Sequence, residues 1–296
     1  MNISLPECIR RVSRQRWEMF PQAFALALII LLLLSAQGIT QQSVQVRVDR
    51  WLDIQEMTGS VTFYQQNNSR VARVGDRLQS VGDGIRTGQQ SNAVLAVDTG
   101  VGFVTVSENT QAVVRTLAIA PDNGRITHLD VSQGQVRLNL RRFTHRGSEF
   151  EIHTPAGVSA VRGTDFGVSI QPDGKTGIAT LTGEVSTSAQ GQTVAVAAGF
   201  QNLIIPGEVP SPAVPLQDNT DLRYTIDRQI QNNLRSVRLN AQVDPVNLVF
   251  VGDTPQDIDR EGRFSLRLRA VYRQRIEITV ITPLGKRQVH QLVIVL

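Results

Sequence analysis

The sequence predicts an all-β protein, and three observations carry that prediction. Short runs alternate apolar with polar side chains, the period of a half-buried strand. Turn residues recur about every ten to fifteen positions, without a strict repeat. Aromatic residues are only 5% of the chain while glycines number 23, a balance suited to short strands and tight turns rather than to a helical bundle. At 296 residues the chain is long enough for two ordinary domains. The expected architecture is a stack of short strands, solenoid-like or sandwich, followed by a small β-sandwich, with one hydrophobic helix ahead of both.

That helix comes first. Arg10, Arg11, Arg14 and Arg16 precede an apolar run from Ala23 to Ala36, the charge order of a secretory signal or of an anchor with its N-terminus inside. As a helix the run spans about 20 Å, short of the ~30 Å hydrocarbon core; extended from Trp17 to Ile39 it reaches that thickness. Ala36 and Gly38 are small residues of the kind that signal peptidase accepts. Arg10-Arg11 is not followed by the Phe-Leu of a twin-arginine signal. Residues 1–38 therefore read as a signal peptide, cleaved, or as a single-pass membrane anchor, retained. Either places the rest outside the cytoplasmic membrane, in the periplasm or cell envelope.

The formal charge of +4 comes from 30 Lys and Arg against 26 Asp and Glu; past the leader it falls to about +2. The only cysteine is Cys8, so no disulfide, thiolate metal site or cysteine nucleophile exists beyond the leader.

Residues 39–58 read as a polar lead-in, and a β domain is expected over 59–205. Val61 to Tyr64 is a strand with Asn67-Asn68-Ser69 as its turn. Ala93, Leu95 and Val97 alternate with Asn92, Val94 and Ala96, a strand buried on both faces. Val101 to Val106, Gln111 to Leu117 and Ile126 to Val131 follow. Ser132-Gln133-Gly134 reads as a turn before Val136, Leu138 and Leu140. Glycines 82, 84 and 88 read as positive-φ residues in a tight bend rather than as a phosphate loop, because no helix pattern follows them. Phe150, Ile152 and Thr154 alternate with Glu151 and His153, and Pro155 stops that strand. Val158 to Arg162, Asp165 to Ile170, Thr176 to Leu181, Gly183 to Ser188 and Thr193 to Ala197 continue the series, with Asp173-Gly174 as a hairpin turn.

Thr154-Pro155 with Val161-Arg162-Gly163-Thr164 and Phe166, then Ala179 to Val185, form an ordered set of blocks. Val81-Gly82-Asp83-Gly84-Ile85-Arg86-Thr87-Gly88 precedes them, with Ser91, Ala93, Leu95 and Asp98 behind it. Together these resemble the signature of the FecR family of bacterial envelope proteins, over roughly residues 55 to 210. The resemblance implies a sensor or regulator domain outside the cytoplasmic membrane and favours a solenoid-like stack. Regulators of that family relay a signal to a sigma factor through a cytoplasmic domain. Here only about 20 residues precede the apolar run, too few for such a domain, so only the extracytoplasmic half carries over. The signature residues Thr154, Pro155, Arg162, Gly163, Thr164, Phe166, Asp83, Thr87 and Gly88 read as fold-encoding.

Residues 206–220 hold Pro206, Pro210, Pro212 and Pro215, a composition that favours extended backbone and reads as a semi-rigid spacer between two units. Within 221–296, Leu222, Ile226, Ile230 and Leu234 fit a helix stripe, and the same segment fits an edge strand. Strands follow at Val237 to Val243, Asn247 to Val251, Phe264 to Tyr272, Ile276 to Ile281 and Val289 to Leu296. Asp244-Pro245, Gly252, Asp259, Gly262-Arg263-Phe264 and Thr282-Pro283-Leu284-Gly285 give this part its resemblance to the small immunoglobulin-like sandwiches of bacterial surface proteins.

Chemistry is sparse. No two of His128, His145, His153 and His290 stand four apart, so no helix-borne metal pair exists; a hairpin could bring His145 and His153 together, but the expected reading is solvated histidines. No glycine-flanked serine elbow occurs. No catalytic, cofactor or metal residue is expected, and no enzyme. Arg267 and Arg269 alternate with Leu266, Leu268 and Ala270, and Arg273 and Arg275 continue the series; this is the candidate partner-binding face, since guanidinium forks suit carboxylates and phosphates. Arg137 and Arg141 repeat the pattern in the first part. Nucleic acid is not the expected partner of an exported chain. The expected function is a non-enzymatic envelope binding or scaffold module recognising a protein or a cell-wall polymer. The alternative is a membrane-tethered signalling component with a separate cytoplasmic partner.

Overall fold

The computed structural model describes residues 50–65, 68–231, 234–269 and 273–295. The leader, with its expected hydrophobic helix, lies outside the described residues. Among the described residues there is no helix, and so none long and apolar enough to cross a membrane.

The first body distributes its strands between two sheets, I and II. β1 (Leu52–Thr58) lies in sheet I, β2 (Val61–Gln65) and β3 (Asn68–Val71) in sheet II, β4 (Arg77–Leu78) in sheet I and β5 (Gly84–Thr87) in sheet II. β6 (Asn92–Val97) and β7 (Gly102–Val106) make a hairpin in sheet I, and β8 (Gln111–Ile119) joins sheet II. β9 (Arg125–Leu140) belongs to both sheets. β10 (Glu149–His153) and β11 (Val158–Val161) extend sheet II; β12 (Asp165–Ile170) and β13 (Thr176–Thr182) extend sheet I. β14 (Glu184–Ala189) and β15 (Gln192–Ala197) close sheet II, and β16 (Phe200–Ile204) and β17 (Val214–Pro215) close sheet I. In space, sheet I runs β4-β1-β6-β7-β9-β12-β13-β16-β17. Sheet II runs β3-β2-β5-β8-β9-β10-β11-β14-β15. The pair β9–β10 is parallel.

One core fills the space between the sheets. Leu52, Ile54, Leu95, Leu138, Phe166 and Ile178 come from sheet I, and Phe63, Ile85, Leu129, Phe150, Ile152 and Val185 from sheet II. The first body is therefore a sandwich with a shared strand. The two strands expected around Ser132-Gln133-Gly134 are one: the first half of β9 pairs with β8 and β10, the second half with β7 and β12. Gly134, at φ +89°, bends the strand from one sheet into the other, and a Cβ there would strike Thr110. The signal was a bend inside a strand rather than a chain reversal. β6 is covered on one face only, with Val94 and Ala96 half-buried.

The lead-in also joins the fold. Leu52 and Ile54 in β1 are fully buried. Before them Arg50 is clamped at 7% exposure. Its Nε and Nη2 donate to Asp98, at 2.8 Å for the closest contact, and Nη2 also to Thr127 Oγ1. Nη1 donates to the carbonyls of Ala118 and Ile126 at 2.6 and 2.7 Å. Breaking such a buried, fully bonded pair costs about 3–5 kcal/mol, because the surviving partner stays charged and dry.

The second body is a smaller sandwich. Its strands are β18 (Arg223–Gln231), β19 (Leu234–Gln242), β20 (Leu248–Val251), β21 (Thr254–Pro255), β22 (Arg263–Arg269), β23 (Arg273–Ile281) and β24 (Arg287–Val295). Sheet III runs β18-β19-β22 and sheet IV β21-β20-β23-β24, around Leu239, Val249, Phe264, Ile278 and Leu292. First beside second beside fifth, facing third beside sixth beside seventh, is the pairing of an immunoglobulin-like sandwich. The ambiguous stripe resolves into strands, with Ile226 and Ile230 in the edge strand β18 and Leu234 opening β19: a spacing of four fits both a helix face and every second position on one face of a strand.

The proline-rich segment does not hold the two bodies apart. Ser211 N–H donates to Leu203 O, and Val214–Pro215 pairs with β16, so the segment runs back along sheet I. Two turns of the second sandwich meanwhile sit on the outer face of that sheet. Ser169 Oγ donates to Val246 O, and Gln171 Nε2 to Pro245 O at 2.8 Å. Gln135 Nε2 donates to the carbonyls of Thr282 and Pro283 at 2.6 and 2.9 Å. Gly167 and Gly177 make room: a Cβ on the first would collide with Pro283 O, and on the second would lie 2.5 Å from Val246 O. Glycine in a strand interior marks such close backbone approach.

Candidate functional site

The signature residues serve the local backbone and core, with only Pro155 and Arg162 exposed. Thr154 N–H donates to Gly157 O at 2.9 Å, closing the β10–β11 hairpin over exposed Pro155, and Thr154 Oγ1 accepts from Thr176 Oγ1. Arg162 Nε reaches the carbonyl of Ser148 at 3.3 Å. Gly163 stands at φ +108° against the backbone of Arg141 and Arg142, where a side chain has neither space nor an allowed backbone. Thr164 is buried with its hydroxyl toward Glu184 O, and Phe166 is fully buried in the core; truncating a Phe so placed costs about 3–5 kcal/mol.

The upstream block behaves likewise. Asp83 is fully buried, and its Oδ2 accepts the N–H groups of Gln79 and Ser80 at 2.9 and 3.0 Å. Thr87 Oγ1 donates to Ser107 O, and Gly88 N–H to Ser60 O. Of the three glycines expected at positive φ, only Gly82 stands there, at +92°. Gly84 instead lets Ala112 O approach, and Gly88 has ordinary space around it.

The arginine face divides. Arg267 lies on the outer face of sheet III, but Arg273 and Arg275 lie on β23 in sheet IV, exposed on the opposite side of the sandwich. β22 and β23 belong to different sheets, so continued alternation in sequence is not continuity of surface. Arg269 ends β22 opposite Ser236. Sheet III supplies other members that alternation alone did not assemble. Arg238 stands directly opposite Arg267, and Arg263 and Arg223 flank Gln242 on either side. Arg223, Arg238, Arg263 and Arg267 are all exposed. The nearest acid in register, Asp227, is held by Asn240 Nδ2 at 2.7 Å. A shallow hollow of about 530 Å³ adjoins, lined by Arg223, Thr225, Asn240, Gln242 and Arg263. Arg137, by contrast, is not free. It forks onto Asp165 at 3.0 and 3.1 Å, which raises its guanidinium above the ordinary value, and donates to Leu284 O.

A second cluster lies on the outer face of sheet II, and histidine spacing did not reveal it. His153 meets His128, not His145: the ring centroids are 5.5 Å apart. His153 Nε2 is 2.7 Å from Glu151 Oε2, and His128 Nε2 lies 3.6 Å from the same oxygen and 2.9 Å from Glu149 Oε1. Alternation of Glu151 and His153 was legible; the parallel register that sets His128 opposite Glu151 was not. His145 is exposed, with its Nδ1 3.3 Å from Thr144 Oγ1.

The family model for the FecR protein matches residues 83–186. Residues 83–186 are a FecR domain. All nine signature residues fall inside it, while β1 to β4 and β15 to β17 complete the same sandwich from outside the matched stretch. Among solved structures, two crystal structures of a protein from Parabacteroides distasonis, provisionally assigned as an anti-sigma factor, are similar at 16% identity and a TM-score of 0.37. The first covers 48% of this chain and 66% of that one, the second 50% and 68%. The chain thus spans just under two thirds of the first. A polysaccharide lyase is similar at 10% identity over 83% of this chain and 40% of that one, with a TM-score of 0.18. No curated protein matches the chain.

Proposed function

We propose that the chain is a non-enzymatic, exported binding and scaffold module of the cell envelope, in which the FecR domain carries an immunoglobulin-like sandwich that presents an anion-binding face. One observation supports this most: Arg238 directly opposite Arg267 on the outer face of sheet III. Like charges across a strand pair are destabilising; Asp227, the acid opposite Arg238 on its other side, is already engaged by Asn240 and offsets only part of the repulsion. A bound polyanion relieves the repulsion and engages the guanidinium forks. The ligand class that fits is an anionic cell-wall polymer.

Charge reversal at Arg238→Glu with Arg267→Glu tests this. The double variant is expected to lose about tenfold or more of its co-sedimentation with purified wall polymer, at unchanged thermal melting. Retained co-sedimentation removes the face as the site. The remaining association of the wild type should fall with salt, since exposed charges are screened beyond ~8 Å at physiological ionic strength.

The FecR domain match also supports a second reading, a membrane-tethered signalling component acting with a separate cytoplasmic partner. Retention of the leader in the mature protein favours it, and N-terminal sequencing distinguishes the two.

A further inference from the structure

We propose that His128, Glu151 and His153 form a binding site for a divalent transition-metal ion of the Zn²⁺ type on the outer face of the FecR domain. Each offers one ligand atom, an imidazole nitrogen or a carboxylate oxygen, and the three atoms lie within 4.8 Å of one another. They come from two adjacent strands. Glu151 and His153 are two apart on β10 and so share a face, and the parallel register places His128 directly across from Glu151. Both imidazoles present the same nitrogen to one carboxylate oxygen, at 2.7 and 3.6 Å. Ligand atoms bound tetrahedrally at ~2.0–2.1 Å stand a little over 3 Å apart, so small side-chain adjustments close the set around an ion.

The surroundings suit a cation. The side chains are only 18–21% exposed, which limits their freedom before binding. Their neighbours across the sheet are Thr116, Ala160 and Val158, which are small or uncharged and bring no competing cation. Asp130, opposite His153, is engaged by Arg115 at 3.0 Å. Glu149, 2.9 Å from His128 Nε2, is the nearest further carboxylate and supplies the second negative charge that a divalent ion needs. Two imidazoles with carboxylate select Zn²⁺ and its neighbours over Ca²⁺ and Mg²⁺, which prefer all-oxygen sites. On binding, each Nε2 gives its lone pair to the ion, and the hydrogen it now shares with Glu149 or Glu151 moves to Nδ1 or to solvent. No electron is transferred.

Isothermal titration of the purified full chain with ZnCl₂ tests the site, with thermal melting as the second readout. The wild type should take up one Zn²⁺ at this site. At an ion concentration about 100 times Kd, melting should rise by roughly 5–10 °C. His128→Gln and His153→Gln should each weaken that uptake by about 100-fold or more, and Glu149→Gln by less. All three variants should melt as the wild type does without metal. Two results overturn the proposal: no heat and no melting shift at 100-fold molar excess of Zn²⁺, or uptake by His128→Gln and His153→Gln equal to that of the wild type, which places the ion elsewhere. A Ca²⁺ or Mg²⁺ response equal to that of Zn²⁺ overturns the assigned ion class.

Discussion

The two outer faces of the FecR sandwich have opposite fates. On sheet I, Gly167 and Ser169 of β12 and Gly177 and Ala179 of β13 point outward and are buried, and only Asp165 and Leu181 near the strand ends are not. On sheet II the outward positions of β9 and β10 are His128, Asp130, Glu149, Glu151 and His153, and all remain partly exposed. The core-facing residues of both sheets look alike. What separates the faces is the residue that points away from the core: small and uncharged where another backbone lands, long and ionisable where water remains. The comparison teaches that the non-core half of an alternating strand reports whether that face is covered.

The largest expected effect comes from filling the covered face. Gly167→Val pushes a branched side chain into Pro283 and should separate the two bodies at a cost of about 3 kcal/mol. Proteolysis within residues 206–221 and an increased radius of gyration should report it. If the variant melts like the wild type, the two bodies do not depend on this contact.

A smaller loss should follow Gln135→Met, which keeps the volume but strands the carbonyls of Thr282 and Pro283. About 1–3 kcal/mol is expected from denaturant unfolding, against less than ~0.5 kcal/mol for Asp130→Asn on the open face, where the Arg115 pair is about half exposed on both sides.

The smallest effect is one of pH. The hydrogen bonds named above across the covered face end on carbonyls and have no titration in the acid range. Asp76 does titrate: its bond from the Arg70 guanidinium holds its carboxyl below the usual carboxylate range. A lowered folded value gives stability that is present above the unfolded carboxylate value of ~3.9 and is lost as pH falls through the folded value. Arg70 is half exposed, so solvent screens much of the gain. Asp76→Asn should therefore lower melting slightly at pH 6, and the gap to the wild type should close in strong acid. A gap that persists there assigns the effect to something other than this ion pair.

Much of the fold was legible because strand alternation and turn residues are local signals. Phe150, Ile152, Phe166 and Val168 could be placed in a core from their period alone. Long-range facts were not legible. Whether Ser132-Gln133-Gly134 reverses the chain or bends it depends on which strands lie alongside, and so does the sheet to which Arg273 belongs. The covered face left a trace: Gly167 and Gly177 sit inside strands, not at their ends, and such glycines point to a close neighbour. The meeting of His128 with His153 left none, because parallel register between distant segments has no local signature.

The clamp at Arg50 has a mechanical consequence. The guanidinium ties Asp98, at the end of β6 in sheet I, to the Ala118 and Ile126 carbonyls and the Thr127 hydroxyl in sheet II. Tension arriving along the polypeptide from residue 49 meets this stitch before it reaches β1. It is shared between both layers as shear, across several bonds at once, instead of peeling one strand away rung by rung.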